Sequence, residues 1–593
     1  MMTDFLPISK SDLSKRGWQE PDIILVIGDA YVDHPSYGAS MIGRVLEDAG
    51  FKVGIIAQPD WRQPDDFKKL GRPRLFFGVT AGNLDSMVAN YTANKKLRKA
   101  DDYAPGGKAG LRPDRTTIVY ANRIRQAYPN IPLVIGGIEA SLRRLAHYDY
   151  WSDQVRRSIL LDSKADILVY GMGERQIVEI AGRLQKGALR HELDNIRGTV
   201  IAKNDIGSLK DIIYLPSFEE TNSSKEKFAE AFKIIYSEFD PLRGKTLVQQ
   251  HDKRFVIQYP PAEPLAAEEL DKAYDLNYAK AWHPIYDKDG GVPGFETTRF
   301  SITSHRGCPG ACNFCSLYLH QGRIVQSRSS GSIVREARLM AARDDFKGTI
   351  TDIGGPTANL YEAVCRKWEK EGVCRDKLCL TPVKCKSLEL GYAKTLKLWQ
   401  EVMSIPKVKH VFIGSGVRYD LLVDKGSDEY LKELCAHHVS GQLKVAPEHS
   451  ERSVLGLMNK PSFDIYEKFI RRFSEINDHL KKKQYLVNYF ISGHPGAGLN
   501  EALNLSLTLA DKRIHPEQIQ DFIPLPMTIS GCMYYTGKDP FTNKNIYVSK
   551  GQRERKLQRA LLQFKNPANR KYVIEALKNL DKLNLKNRFF YHK

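Results

Sequence analysis

Three cysteines lie close together near the middle of the chain, in a segment rich in glycine. Residues 304–323 read SHRGCPGACNFCSLYLHQGR, in which Cys308, Cys312 and Cys315 follow the spacing C-x-x-x-C-x-x-C. Glycines on both sides of the first cysteine give the backbone the freedom to turn three thiols toward one point. Three neighbouring thiolates are suitable ligands for a soft metal centre. The segment, called here the three-cysteine loop, therefore predicts a metal site.

The loop has no fourth cysteine close by. Ordinary ferredoxin-type clusters bind four cysteines, so an iron–sulfur cluster held by this loop would keep one iron open for a substrate or cofactor. The spacing also allows a structural zinc ion whose fourth ligand is a nearby histidine, such as His305 or His320. Both alternatives stay open at the level of residue spacing.

Apolar runs alternate with helix-like segments around and after this loop. Such alternation predicts parallel strands joined by helices, and six β/α steps make an incomplete barrel whose active face lies at the carboxyl ends of the strands. The predicted strands are residues 300–303, 349–353, 410–416, 441–449, 485–496 and 518–526.

Several residues at these strand ends are suited to binding a ligand. Gly354 and Gly355 allow backbone groups to approach a ligand without an intervening side chain. Ser415 and Arg418 follow the next strand, where a cation could hold a carboxylate. Glu448 ends the strand after that and could bind hydroxyl groups. A surface ion pair is the alternative interpretation of Arg418 and of Glu448.

The N-terminal part of the chain predicts an open parallel α/β sheet. Its strands alternate with helix-like stretches, and ligands of such sheets bind at the carboxyl ends of the strands. The predicted strands are residues 22–28, 51–57, 74–80, 132–137 and 166–171. We predict a Rossmann-like domain over residues 1–205, a connecting subdomain with a proline-rich linker over 206–290, the partial barrel over 291–548 and a basic helical tail over 549–593.

The three-cysteine loop resembles the hallmark motif of the radical S-adenosylmethionine (SAM) superfamily, in which an aromatic residue precedes the third cysteine, here Phe314. The resemblance implies a 4Fe–4S cluster bound by the three cysteines, with SAM chelating the open iron. It further implies reductive cleavage of SAM to a 5′-deoxyadenosyl radical that modifies a substrate. The cofactor carries this chemistry while the protein orients it. With the strand-end motifs, the resemblance favours iron–sulfur over zinc.

The superfamily resemblance also assigns roles to the strand-end residues. Gly354, Gly355 and Pro356 occupy the position that contacts the SAM amino group, although Pro356 replaces the usual glutamate. Ser415 and Arg418 could hold the SAM carboxylate or a substrate anion, Glu448 could bind the ribose hydroxyls, and Phe314 would contribute to the same cofactor site. No substrate-specific catalytic residue is assigned.

A narrower resemblance covers nearly the whole chain. The stretches TDIGGPTANLY, GSGVRYD, KVAPEHS, YFISGHPG and MYYTGKDP, together with the loop, resemble the YgiQ family of radical SAM proteins in the methylthiotransferase-like branch. The N-terminal sheet resembles the cobalamin-binding domain of other radical SAM enzymes. The cobalt-ligating motif of that domain runs D-x-H-x-x-G, whereas Asp33 and His34 are adjacent here. Cobalamin is therefore an open expectation, and His34 is not expected to bind cobalt.

A second cysteine group follows the Gly-Gly-Pro strand end. Cys365, Cys374, Cys379 and Cys385 fall in a stretch rich in lysine and arginine, which favours thiolates. Four thiols could hold zinc or an additional iron–sulfur cluster, while their wide spacing also fits buried thiols that bind nothing. We keep both interpretations, and we predict that the four cysteines converge.

Composition limits the compartment and the partners. Nine cysteines without an export signal favour a cytoplasmic protein with free thiols, and no apolar run is long enough to span a membrane. The net charge of +19 mildly favours RNA over a small molecule or a protein as substrate. A radical SAM enzyme also requires an electron donor of flavodoxin or ferredoxin type. The alternative function is a non-catalytic iron–sulfur electron-transfer or scaffold protein.

Overall fold

The chain forms two compact units in a computed structural model that describes residues 5–207 and 209–590. The first unit comprises Met1–Phe300 with Leu319–Gly322 and Lys370–Val373, and the remainder of the chain forms the second. The ends of the predicted first domain and of the predicted tail, residues 1–4 and 591–593, lie outside the described residues. The finer division into four parts stays a prediction.

A nine-stranded sheet forms the core of the first unit. Five neighbouring strands, from Val53–Ala57 to Ile167–Val169, run parallel, which confirms the predicted open parallel sheet. Strands from residues 199–258 continue the same sheet, first in antiparallel pairs. The strand order across the sheet is Ile212–Tyr214, Thr246–His251, Arg254–Gln258, Thr199–Lys203, Ile167–Val169, Leu133–Gly136, Phe76–Thr80, Ile23–Ile27 and Val53–Ala57.

Helices cover the parallel part of this sheet. Ile23–Ile27 is buried along its whole length, as expected of a parallel strand that is covered on both faces. The helices before residue 300 are Lys10–Lys15, Gly38–Asp48, Ser86–Asn90, Thr116–Ala127, Gly137–Leu142, Ile159–Ser163, Glu174–Gln185, Phe218–Ser223, Lys225–Ser237, Ala267–Tyr274 and Pro293–Glu296.

Parallel strands in six successive β/α steps form the second unit. Ser301–Thr303 pairs with Asp352–Gly354, and Thr349–Ile350, in the same step, pairs with His410–Val411. Gln442–Glu448, Tyr485–Ser492 and Ile519–Asp521 then pair in sequence order, so the strand order matches the predicted partial barrel.

The helices from residue 317 onward connect these strands and form the C-terminal tail. None of the helices within the described residues is both long enough and apolar enough to cross a membrane. They are Leu317–Gln321, Ser330–Ala341, Arg366–Glu371, Tyr392–Met403, Asp428–Glu433, Arg452–Met458, Phe463–Leu480, Leu499–Asp511, Ile529–Thr536, Gln552–Leu562, Arg570–Asn579 and Lys586–Phe590.

The predicted helical tail packs onto the last strands of the barrel. Gln558 lies on Gln552–Leu562, and its side chain accepts from the amide of Gly493 at 3.1 Å and donates to the carbonyl of Ala497 at 3.0 Å. Arg559 forms an ion pair with Asp521 at 2.6 Å. Because Leu557 and Leu561 are buried as well, this helix covers the final strands.

Candidate functional site

The three-cysteine loop begins at the carboxyl end of the first barrel strand. Ser301–Thr303 runs parallel to Asp352–Gly354, and the backbone amide of Ser304 donates to the carbonyl of Gly354 at 2.7 Å. The short antiparallel pair His305–Arg306 and Gln326–Ser327 closes the base of the loop. The loop therefore lies at the edge where ligands bind in α/β barrels.

Two glycines allow the loop to fold tightly. Gly307 has φ = 82°, and a side chain there would collide with the carbonyl oxygen of Ile324. At Gly310 a Cβ atom would lie 2.7 Å from Arg418 Nη1 and 3.3 Å from Cys308 Sγ. Glycine is required at Gly307, and the absence of a side chain at Gly310 leaves space for the guanidinium group of Arg418 next to the cysteines.

Two asparagines fasten the loop to the end of the helix Arg452–Met458. The amide of Asn313 donates to the last carbonyl of this helix at 3.0 Å. Asn459 ends the helix in the left-handed conformation, with φ = 55°, which asparagine tolerates better than most residues. Its Nδ2 donates to the carbonyls of Gly310 at 3.2 Å and Ala311 at 2.8 Å.

The three loop cysteines are free thiols in a desolvated environment. Burial, together with the neighbouring Cys312 and Cys308, raises the pKa of Cys315 to about 12. Burial also raises the pKa of Cys308, although the positive charge of Arg418 offsets part of this effect. Arg418 Nη1 lies 3.7 Å from Cys312 Sγ. Three crowded thiolates need compensating positive charge. Iron ions would supply it, so this donor set fits an iron–sulfur cluster.

Gly354, Gly355 and Pro356 end the strand next to the loop, as predicted. The carbonyl of Gly354 accepts from the amide of Ser304 and from its hydroxyl group, at 2.7 and 3.1 Å, so both of its lone pairs are engaged. A Cβ atom on Gly355 would lie 2.6 Å from the carbonyl oxygen of His305. A bound SAM amino group would therefore have to use the carbonyl of Gly355 or Pro356.

Ser415 is exposed beside the same strand end. Its hydroxyl and its amide both donate to Asp352 Oδ1, each at 3.0 Å. A side chain on Gly354 would collide with the Ser415 hydroxyl. Burial raises the pKa of Asp352, while its hydrogen bonds to Ser415 and Gly414 lower it. Ser415 is thus held at the predicted strand end.

Arg418 is buried, and its charge is paired within the protein. Its guanidinium group binds Asp420 through two hydrogen bonds, at 3.1 and 2.7 Å. Burial lowers its pKa, but Asp420 and Cys312 more than offset this and raise the pKa overall. Arg418 is therefore arranged to stabilise negative charge on the cysteines.

Glu448 lies opposite Lys460, a residue that the sequence interpretation missed. Lys460 Nζ lies 3.8 Å from Glu448 Oε1, and both side chains are buried. Burial raises the pKa of Glu448, and Lys460 lowers it. In the sequence, Lys460 could have been identified from the short segment Asn459-Lys460-Pro461, which follows the helix. The pair could bind a ligand that has both hydroxyl and carboxylate groups.

Phe314 points toward another group that was missed. Its ring makes an edge-to-face contact with His494, with centroids 6.1 Å apart. His494 Nε2 lies 2.7 Å from the hydroxyl of Ser530, and the amide of Ser530 donates to the carbonyl of Asn313. The strand-end histidine of the GHPG motif thus supports the loop.

The histidines of the zinc alternative have separate environments. His305 is buried, its Nδ1 lies 2.9 Å from the hydroxyl of Ser304, and burial lowers its pKa to about 4. His320 belongs to the first compact unit, where its Nδ1 lies 3.2 Å from the hydroxyl of Ser141.

Three of the four cysteines of the second group lie in or against one apolar cluster: Cys365, Cys379 and Cys385. Cys365 lies on a short strand that pairs with Leu388–Glu389, and the amide of Cys385 donates to the carbonyl of Cys379 at 2.8 Å. Burial raises the pKa of Cys379 to about 11; Arg323 lowers it, and the other three cysteines of the group raise it. The four cysteines are therefore electrostatic neighbours.

Neither cysteine group forms a ready-made site for one ion. Within residues 5–207 and 209–590, no three His, Cys, Asp or Glu side chains are arranged to hold a metal ion directly.

Internal contacts hold Asp33 and His34 in the first unit. Asp33 is fully buried and pairs with Arg44, and its carboxylate accepts from the amide of Ala279 at 2.9 Å. His34 is buried, and its Nδ1 accepts from the amide of Ser36 at 3.1 Å. These contacts give both residues a role in the fold.

A buried ion-pair network lies near the carboxyl ends of the central strands of the first unit. Arg112 binds Asp29 and Asp101, each at 2.8 Å, and donates to the carbonyl of Ala81 at 2.7 Å. Burial raises the pKa of Asp29 to about 6, although Arg112 lowers it. Part of the expected ligand crevice is thus filled by the protein's own side chains.

Both ends of the chain match known protein-family models. Residues 5–301 match a protein-family model described as "Radical SAM N-terminal", and residues 517–586 match a domain of unknown function, DUF3362. The class of protein is therefore radical SAM-related. The chain belongs to the UPF0313 family. It is 53% identical to a UPF0313 protein of Clostridium botulinum (strain ATCC 19397 / Type A), over 97% of this chain and 89% of that protein.

Other similar proteins come from an archaeon and from solved structures. A UPF0313 protein of Methanocella arvoryzae is 53% identical over 96% of this chain and 94% of that protein. The radical SAM methyltransferase TsrM from Kitasatospora setae, solved with cobalamin and a 4Fe–4S cluster, gives a TM-score of 0.49 at 15% identity and covers 86% of this chain and 74% of that one. The cobalamin-dependent radical SAM enzyme OxsB, solved with aqua-cobalamin and SAM, gives 0.49 at 10% identity, over 95% and 69%.

Proposed function

We propose that this protein is a radical SAM enzyme whose three-cysteine loop binds a 4Fe–4S cluster. The observation that carries the proposal is that Cys308, Cys312 and Cys315 share one tight loop at the carboxyl end of the first barrel strand. When bound, the cluster and SAM supply a carbon radical by reductive cleavage of the sulfonium. We further propose that the protein is a member of the YgiQ family and that the radical modifies a separate substrate.

The chain's own residues hold and tune this site. Gly310 allows Arg418 to approach the cysteines, where its charge stabilises thiolates and makes reduction of a bound cluster easier. The backbone carbonyls of Gly355 and Pro356 would receive the SAM amino group. Lys460 and Glu448 would hold its carboxylate and ribose. Arg418, the carboxylate ligand expected from the sequence, is paired with Asp420.

We further propose that His34 does not ligate cobalt. Its ring is buried among internal contacts, and the adjacent Asp33 is paired with Arg44. If cobalamin binds, the absence of nitrogen hyperfine coupling from a histidine on cobalt is the expected spectroscopic result. A coupling that disappears in His34→Ala would contradict this part.

The test is SAM cleavage by the full-length protein. After anaerobic reconstitution and reduction, we expect the protein to form 5′-deoxyadenosine and the triple variant Cys308→Ala, Cys312→Ala and Cys315→Ala to form none. The matched control replaces Cys435 and Cys532, buried cysteines outside both groups, with alanine. Cleavage that survives in the triple variant would refute the site, and a bound cluster without any cleavage would favour the scaffold alternative.

The substrate and the electron donor can be approached separately. The net charge of +19 supports RNA as the first substrate class to test. We expect added cellular RNA to stimulate SAM cleavage, and this stimulation to fall as salt concentration rises. Stimulation by a small-molecule extract after nuclease treatment would point to the other substrate class. A flavodoxin- or ferredoxin-type protein is expected to replace a chemical reductant.

A further inference from the structure

A half-buried arginine near the second cysteine group has two buried hydrogen-bond donors that are unused. Two nitrogens of the Arg323 guanidinium group, Nε and Nη2, are buried and have no hydrogen-bond partner within the protein. Arg323 also lies within electrostatic reach of Cys379, as do Cys365, Cys374 and Cys385. Buried donors without a partner are costly, so their presence here indicates an anionic partner that the protein itself does not supply.

The second group and the three-cysteine loop share one apolar cluster. Cys379 lies in a buried cluster with Leu360 and Trp368, and Cys365, Cys385 and Cys308 pack against it. Residues 324 and 325, which directly follow Arg323, contact the same cluster. An apolar environment of this kind excludes water from thiolate–metal bonds.

One side chain connects the two cysteine segments. Asn459 donates to the carbonyls of Gly310 and Ala311 in the three-cysteine loop. Its Oδ1 accepts from the hydroxyl of Thr381, which lies between Cys379 and Cys385. The position of the second segment is thus fixed relative to the loop by a buried hydrogen bond as well as by apolar packing.

We propose that Cys365, Cys374, Cys379 and Cys385 bind a second 4Fe–4S cluster, with Arg323 donating to its sulfur atoms. The cysteines are separated by eight, four and five residues. Such intervals suit four thiolates that each reach a different iron better than the paired knuckles of structural zinc sites. A four-thiolate cluster carries net negative charge, which the guanidinium group of Arg323 offsets. This site does not depend on SAM cleavage.

The first experiment counts metal and sulfide on the full-length protein after anaerobic reconstitution. We expect about eight iron and eight sulfide per chain, falling to about four of each when either cysteine group is replaced, since each cubane holds four. The loop variant carries alanine at Cys308, Cys312 and Cys315. The second-group variant carries serine at Cys365, Cys374, Cys379 and Cys385. Control variants of Cys435 and Cys532 should retain the wild-type content.

The outcomes separate this proposal from the proposed function. About four iron per chain in the wild type, all of it retained by the second-group variant, would overturn the second cluster and leave the first intact. One zinc per chain that only the second-group variant loses would overturn it in favour of a zinc site. Iron and sulfide that persist in the loop variant, with a cubane Mössbauer signal, would support it.

A variant that keeps all four cysteines distinguishes loss of the cluster from misfolding of the protein. In the loop-variant background, Arg323→Gln should retain iron and sulfide but shift the reduction potential of the remaining cluster to more negative values. Removing a nearby positive charge disfavours the extra electron. The matched control is Arg452→Gln, an exposed arginine. An unchanged potential in Arg323→Gln would contradict the assigned contact between Arg323 and the cluster.

Discussion

At the scale of single residues, the candidate site depends on space left by glycine and on one buried cation. The absence of a side chain at Gly310 lets Arg418 Nη1 lie close to the loop, since a Cβ atom there would lie 2.7 Å from that nitrogen. Arg418 in turn is oriented by two hydrogen bonds to Asp420. A small change at either residue therefore alters the charge balance around Cys312.

Gly310→Ala should separate the guanidinium group from the cysteines while retaining every predicted ligand. We expect the rate of SAM cleavage to fall about tenfold to a hundredfold, since misplacement by a fraction of an ångström to 1 Å has effects of that size. The control is Gly456→Ala, a helical position with nothing within 4 Å of the added carbon. An activity of Gly310→Ala equal to that of the control would show that the close approach is dispensable.

At the scale of elements, the end of one helix holds the loop in place. The helix Arg452–Met458 ends at Asn459, whose left-handed backbone aims its side-chain amide at two loop carbonyls. A strand-end histidine, His494, supports the other side of the loop through Phe314. The cysteine motif alone therefore does not build the site, because the loop needs partners from the fourth and fifth β/α steps.

Asn459→Asp should keep the left-handed backbone and remove the amide donor. Leaving buried carbonyls without a partner costs about 2 kcal/mol in the free energy of unfolding, and we expect reconstituted iron to be lost more readily. Chemical denaturation and iron release to a chelator measure these effects. Asn543→Asp is the control, because Asn543 also has a positive φ but is exposed. Equal behaviour of both variants would refute this role of Asn459.

At the scale of the whole molecule, each compact unit carries its own buried polar network. In the first unit, burial lowers the pKa of His251 to about 3 and that of His147 to about 4. Neighbouring arginines contribute in the same direction, Arg157 for His251 and Arg143 for His147. Both histidines are therefore neutral in the folded protein at pH values where the unfolded chain binds protons.

The stability of the first unit should consequently fall on acidification. Above pH 6.5 both states are neutral, and as the pH falls from 6.5 only the unfolded state gains protons, until the folded-state pKa is reached. Between pH 6.5 and pH 5 each histidine costs about 2 kcal/mol, at about 1.36 kcal/mol per pH unit. His251→Gln should give a shallower pH dependence of the denaturation midpoint. The exposed His479→Gln should not, and parallel profiles for all three proteins would contradict the prediction.

Binding of the iron–sulfur cluster should stabilise the second unit locally. Hydrogen exchange compared before and after reconstitution is expected to slow in residues 304–330, because metal binding contributes folding free energy where the ligands are. The parallel strands of the first unit serve as the internal control. Slower exchange in those strands without any change in the loop would place the cluster elsewhere.

The local pattern of the sequence determined much of this architecture. Runs such as Ile23–Ile27 predicted buried parallel strands because their apolar residues are contiguous, and the three cysteines predicted a metal-binding loop because their separation is local. Strand ends at Gly354 and Glu448 were predicted for the same reason. Such features depend on residues close in sequence, which share a strand or a turn in any fold.

Tertiary structure decided the features that depend on distant residues. The approach of Arg418 to Cys312, the cation Lys460 opposite Glu448, and the bridge from Asn459 to Thr381 join positions whose proximity only the packed barrel creates. The strands of residues 199–258 likewise joined the N-terminal sheet through antiparallel pairs that their own sequence does not specify. The metal-binding cysteines are close together in the sequence, so the sequence predicted their chemistry. The residues that balance their charge and support the loop are distant in the sequence, because a buried ion or an unpaired buried carbonyl is stabilised by whichever group lies near it in space.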